Sequence, residues 1–393
     1  MRPKLLLALG KEKALQRRHP WIFSGAIQRK DGNPKVGDLV DVYAADGTWM
    51  AVGHYQNESI IVKVLSYDTA EIDDSFWRSR FESALKLRQR LGLLSDFAVT
   101  NAFRLVNAEG DNMPGLIADY YNGVVVFQAH SIGMHRQLPR FCEILKLVME
   151  DNHVPLVSIF DKSSATLPVA AEDGYLFGNK PEEWEICENG SKMIINFREG
   201  QKTGSFLDQR ENHALLSQFS KDCNVLNTFG YTGGFSLAAL KGGASYVETV
   251  DVSKRAIELC QRNIELNYNS VPHKGVVADV LHYLDQVPNT FDIIILDPPA
   301  FAKTHRTLQQ GLKGYRSINH KAMNVIKPGG LLFTFSCSQA VSRDDFQTMA
   351  FSAAAMAHRK VRVVRTLPHA MDHPFSIFHP EGEYLKGLLL EIE

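Results

Sequence analysis

From Asn224 to the last residue, apolar runs that read as strands alternate with stretches of helical spacing, and nothing else constrains the fold as strongly. The strands are expected in NVLNTF, YVETVD, KGVVAD, FDIIILD, GLLFTFS, KVRVVRTL and YLKGLLLEIE. FSLAALKGG, SKRAIELCQRNIELN and INHKAMNVIKPGG supply the helical material between most of them. Strands that are apolar at successive positions are covered on both faces, so this half predicts an α/β fold with a doubly wound, largely parallel sheet.

The preceding chain reads differently. Residues 1–70 are β-rich: VGDLVDVYAADGTWMAVGHY alternates on either side of Asp46-Gly47, a hairpin signal, and SIIVKVLS adds a strand. A short basic helix is expected near KALQRRHP. In FWRSRFESALKLRQRLGL, residues Phe76, Trp77, Phe81, Leu85 and Leu91 recur at helical spacing. Two strands are expected in AFRLVNAEGDNMPGLIADYYNGVVVFQAH, then a long helix and the strand VPLVSIFDK. This divides the chain into a β domain (1–70), a central α/β domain (71–184), and a hairpin at Asn189-Gly190 that opens the alternating domain (185–393).

With 45% hydrophobic and 22% charged residues, the chain has the balance of a soluble globular protein. No apolar run approaches the roughly 18–20 residues of a membrane helix, and MRPKLLLALGKEK lacks a signal-peptide core, so mature cytoplasmic protein is expected. Five widely spaced cysteines without a CxxC pair argue against a disulfide framework and a zinc site, and no metal is expected. Residues 1–67 carry ten Lys/Arg against six Asp/Glu. That surplus suits a polyanionic partner, a solvated basic face being the plainer account.

The first strand of the alternating half runs into Phe229-Gly230-Tyr231-Thr232-Gly233. Glycines there let a ligand approach the backbone, and the following helix start offers free N–H groups. The second strand ends at Asp251, followed by Val252, where an acid typically holds ribose hydroxyls. The third ends at Asp279, followed by Val280. These features fit a nucleoside cofactor and leave nicotinamide and methyl-donor types open.

The fourth strand continues into Asp297-Pro298-Pro299-Ala300-Phe301. This turn resembles the corresponding motif of class I methyltransferases that act on nucleic-acid bases, which implies S-adenosyl-L-methionine as cofactor. Prolines stiffen the loop, so that Asp297 and the Pro298 carbonyl can face a flat heterocycle. The fifth strand ends in Thr334-Phe335-Ser336-Cys337-Ser338. Cysteine is usually a buried small apolar residue, and Cys260 reads that way; Cys337 instead sits on the rim shared by the glycine turn and the Asp-Pro-Pro loop. Its segment resembles that of RNA 5-methylcytosine methyltransferases, where this cysteine is the nucleophile. Members of that group carry a second cysteine after the proline; here Pro299 and Ala300 stand there.

Together with His19-Pro20-Trp21-Ile22-Phe23-Ser24-Gly25, Asn107-Ala108-Glu109-Gly110-Asp111-Asn112-Met113-Pro114-Gly115 and Gly204-Ser205-Phe206-Leu207-Asp208-Gln209-Arg210, these motifs make the whole chain resemble one family. It is the bacterial ribosomal RNA large-subunit methyltransferase family typified by the 5-methylcytosine enzyme of 23S RNA. The resemblance implies an RNA-binding PUA β-barrel, a central domain and a Rossmann-like class I methyltransferase domain. It implies catalytic roles for Cys337, Asp297 and Pro298. It implies cofactor contacts from Phe206, Asp208, Arg210, Phe229, Gly230, Tyr231, Thr232, Gly233, Asp251, Val252, Asp279, Val280 and Asp297, with Asp208 or Arg210 as structural ion-pair partners the alternative. The implied partner is RNA, and the exposed barrel offers a homodimer surface. Methylation of a guanine nitrogen on the same fold, and a non-enzymatic RNA-binding assembly factor, are the alternative functions.

Overall fold

The computed structural model describes residues 2–393. The chain packs as two units: Met1–Ile186 with Ile195–Ser205 and Met371–Gly382, and Cys187–Ile194 with Phe206–Ala370 and Glu383–Glu393.

The first unit contains two sheets. Six strands pair in the order Trp21–Phe23, Ile60–Ser66, Trp49–Tyr55, Leu39–Tyr43, Lys4–Leu7, Ile27–Asp31. Among the described residues no ladder joins the two outer strands, so the expected barrel is a half-barrel. The expected hairpin forms across Asp46-Gly47, with Gly47 at φ +87°. Leu5, Leu7, Val40, Val42, Val62 and Val64 fill its core.

The second sheet orders Gly174–Gly178, Ser158–Asp161, Val124–Ala129, Leu116–Tyr121 and Ala102–Asn107. The stretch expected to give two strands gives three. Asn122 and Gly123, both at positive φ, turn a hairpin inside what reads as one apolar run, because all six positions of Leu116–Tyr121 and nearly all of Val124–Ala129 are buried. Helices Asp74–Arg90 and Leu138–Asp151 cover this sheet, with Trp77, Phe81 and Phe141 packed edge to face.

The Asn107–Pro114 motif is a clasp. Fully buried Arg88 donates to both Asp111 oxygens at 2.6 and 2.8 Å and to the Asp372 carbonyl at 2.7 Å. Arg104 N–H donates to the Asp372 carboxylate (2.8 Å), and Asn107 Nδ2 donates to the Pro374 carbonyl (2.8 Å). Trp21 Nε1 donates to Glu109 at 2.8 Å and its ring meets His379 edge-on, so His19-Pro20-Trp21 packs internally. A Cβ on Gly110 would sit 1.8 Å from the Pro374 carbonyl oxygen. Gly110→Ala must therefore displace segment 371–382, and a loss of about 1–3 kcal/mol is expected in thermal or urea unfolding.

The second unit is built on seven strands: β1 (Asn224–Thr228), β2 (Tyr246–Asp251), β3 (His273–Val277), β4 (Phe291–Leu296), β5 (Ile326–Ser336), β6 (Val361–Leu367) and β7 (Lys386–Ile392). Their order is β3-β2-β1-β4-β5-β7-β6. The first five are parallel, and β7 runs antiparallel to both its neighbours. The helices are α1 (Arg210–Phe219), α2 (Gly234–Lys241), α3 (Lys254–Glu265), α4 (Val280–Leu284), α5 (Leu308–Val325) and α6 (Arg343–Met356). Leu226, Ile294, Leu332, Tyr315, Ile318, Phe346 and Leu390 share one core. The order reverses between β1 and β4, and the carboxyl ends of strands flanking such a switch point are where open α/β sheets bind ligands.

Candidate active site

The register lines up the carboxyl ends: Thr228 pairs with Val250 and Leu296, Leu296 with Thr334, and Asp251 with Val277. The expected motifs leave the sheet along this line. After β1, Phe229 (φ 55°) and Tyr231 (φ 45°) adopt left-handed backbone, and Gly233 has φ 91°. For residues other than glycine this costs roughly 1–3 kcal/mol each and persists only where the surroundings hold it. Gly230 N–H donates to the Val250 carbonyl (3.1 Å), and Tyr231 N–H donates to Asp251 Oδ2 (3.0 Å). A Cβ on Gly230 would lie 2.3 Å from Thr249 Cγ2, and one on Gly233 would lie 2.5 Å from Cys260 Sγ. Cys260 is thus the core residue expected, wedged under the turn.

Asp251 Oδ1 accepts the Ser253 N–H at 2.9 Å, so each carboxylate oxygen takes one backbone donor and keeps a lone pair for a further one. Val252 beside it is 66% exposed, an apolar side chain left open at the rim. β3 ends two residues before Asp279, which is exposed and caps α4 by accepting the His282 N–H (3.1 Å). Val280 is buried in the core, so its side chain does not reach the rim. The Phe206 ring meets Tyr231 edge-on at 5.2 Å, while Thr232 is buried. Asp208 points elsewhere: its Oδ2 accepts the Tyr384 hydroxyl at 2.6 Å. Buried Arg210 has Glu211 at 3.8 Å, the ion-pair geometry of the alternative reading.

The loop after β4 is fastened to the end of β5. Ser338 Oγ accepts the Ala302 N–H (3.1 Å) and hydrogen-bonds the buried Tyr315 hydroxyl (2.9 Å), whose ring packs on Phe301. This fastening brings Cys337 Sγ to 3.9 Å from the Pro298 carbonyl oxygen. Asp297 Oδ2 accepts from Gln209 Nε2 at 3.1 Å, and Asn212 Nδ2 donates to Gln209 Oε1, which fixes the amide with its N–H groups toward Asp297. Gln209 was not among the expected site residues: an amide carries no chemical signal until its partner, 88 residues away, is known.

A left-handed turn over Phe229–Gly233 at the sheet's carboxyl edge, a carboxylate with spare lone pairs at Asp251 and an exposed apolar rim at Val252 together fit a cofactor with a nucleoside and an amino-acid end. Residues 165–373 match the S-adenosylmethionine-dependent methyltransferase family and residues 5–67 match the PUA-like domain. Fold, site and matches define an S-adenosylmethionine-dependent methyltransferase with an N-terminal PUA-like domain. The chain is 37% identical to ribosomal RNA large subunit methyltransferase I of Alteromonas mediterranea over 401 residues, covering 100% of this chain and 99% of that protein. It is 38% identical to the same enzyme of Vibrio vulnificus over 405 residues, covering all of both. The chain belongs to the ribosomal RNA large subunit methyltransferase I family. A Streptococcus mutans structure described as an S-adenosylmethionine-dependent methyltransferase shares the fold, with a TM-score of 0.83 at 22% identity over 100% of both chains. Among the described residues, no helix is long and apolar enough to cross a membrane.

Proposed function

We propose that this enzyme methylates carbon 5 of a cytosine in 23S ribosomal RNA through a covalent adduct of Cys337. Large-subunit ribosomal RNA is the substrate in the name of its relatives. The observation that carries the cytosine reading is Cys337 Sγ, 3.9 Å from the Pro298 carbonyl on the loop that also bears Asp297. A thiol there stands beside the groups that would hold the base.

Phe229–Gly233 and Asp251 would hold the cofactor, with Asp279, Val252 and Phe206 around its nucleoside. Bound S-adenosylmethionine supplies a methyl group on a sulfonium, an electrophile that an enamine-like carbon can take. Asp297, oriented by Gln209, gives or shares a proton at N3, and the Pro298 carbonyl accepts from the exocyclic amine. The Cys337 thiolate adds to C6, forming an S–C6 bond while the C5–C6 π pair becomes nucleophilic at C5. After methylation, loss of H5 as a proton restores the double bond and expels Sγ. The base must leave its stack to reach these groups.

RNA carrying 5-fluorocytidine at the target position has no H5 to lose. It is expected to leave the enzyme as an adduct that survives denaturation, and Cys337→Ala is expected to leave none. A methylguanosine instead of 5-methylcytidine in nucleoside mass spectrometry, or an adduct with Cys337→Ala, would refute the proposal.

A further inference from the structure

A cysteine attacks as the thiolate, and an unassisted thiol is largely protonated at neutral pH. Cys337 lies at the end of β5, where the neighbouring strand is β7. Its first residue, Lys386, pairs in register with Ser336, one residue before the cysteine. The Lys386 side chain returns to the same place. Its Nζ donates to the Ser338 carbonyl, one residue after the cysteine, and to the Tyr384 carbonyl, both at 2.8 Å. A lysine that is 5% exposed is thus tied to both residues that flank Cys337, to Ser336 by strand register and to Ser338 by its ammonium. Buried ammonium groups are costly unless paired, and two neutral carbonyls do not neutralise one.

We propose that Lys386 is a positioning residue for catalysis: held by the Ser338 and Tyr384 carbonyls, its ammonium favours the Cys337 thiolate that attacks the base. The role rests on the nucleophile reading given above. Burial pulls the Lys386 ammonium down to about 8, Cys337 and Glu383 pull it back up, and Arg343 opposes them. Glu383, ion-paired to Arg343, is also held down by Lys386, so Glu383 and the cysteine are both stabilised by this ammonium. Tyr315, which also feels Cys337, is pushed up chiefly by its own burial. The sign follows: lysine protonated and cysteine ionised support each other, so a neutral residue at 386 raises the thiol.

The test is the pH profile of Cys337 alkylation by iodoacetamide in the full-length enzyme without RNA, read on the Cys337 peptide by mass spectrometry. Cys223, half-buried and with its thiol pushed up by burial, serves as internal reference. Lys386→Gln keeps donors for the carbonyls and removes the charge. Lys386→Arg keeps the charge. The midpoint is expected to rise by about 1–3 pH units in Lys386→Gln and to stay near wild type in Lys386→Arg, with Cys223 unmoved in both. An unchanged midpoint in Lys386→Gln overturns the proposal. So does an equal rise in Lys386→Arg, which would mark a packing effect. Should Lys386→Gln fail to fold, Lys386→Met is read by the same criterion. Because alkylation needs no RNA, a shifted profile with no 5-fluorocytidine adduct would refute the cytosine reading and leave the lysine–cysteine pairing standing.

Discussion

Cys337→Ala is expected to lower the single-turnover methylation rate at least about 10³-fold while leaving the affinity for S-adenosylmethionine within about twofold. The separation follows from placement. Sγ faces the Pro298 carbonyl at the end of β4 and β5, whereas the strained turn and Asp251, to which the proposal gives the cofactor, lie at the ends of β1 and β2. Without the thiolate, C5 of cytosine is too poor a nucleophile to take the methyl, so the loss falls on the chemical step. Calorimetric titration with the cofactor and quench-flow methylation of an RNA fragment read the two quantities. Full activity of Cys337→Ser would instead favour a nitrogen target. Asp297→Asn keeps an acceptor for Gln209 but removes the carboxyl proton, and should cost about 10²–10³-fold in the same assay.

The largest stability loss is expected for Arg88→Met, at about 3–5 kcal/mol in urea unfolding. Arg88 is fully buried and makes a bidentate pair with Asp111, which is itself 7% exposed. Removing the guanidinium strands the Asp111 carboxylate and releases the carbonyls of Arg104 and Asp372. A smaller loss in the double variant Arg88→Met with Asp111→Leu than in the single one would identify the uncompensated charge as the cause; equal losses would assign the effect to packing.

The features that sequence made legible are local ones. The Asp-Gly and Asn-Gly hairpins, the apolar parallel strands and the rim positions of Gly230, Asp251, Asp297 and Cys337 each depend on a few neighbouring residues. What escaped depends on tertiary pairing. Tyr384 reaches Asp208 across 176 residues, and Lys386 reaches Ser338 only because β7 inserts antiparallel between β5 and β6, a placement no periodicity encodes. The Asn122-Gly123 turn was masked for a different reason: strands covered on both faces lose the alternation that marks where one stops. α6 went unlisted among the expected helices although a capping box of Ser342 and Asp345 announces it, its alanine-rich run carrying little periodic contrast.

The excursion of residues 371–382 has an evolutionary consequence. The chain passes from one unit to the other at five junctions, after residues 186, 194, 205, 370 and 382. The last return comes immediately before Glu383, Tyr384 and Lys386, the residues that reach Arg343, Asp208 and the neighbourhood of Cys337. Neither unit can therefore be cut out as a contiguous cassette. Recombination that exchanged the methyltransferase unit alone would need five crossovers in one gene, a barrier that ties the inheritance of the PUA-like and methyltransferase parts together.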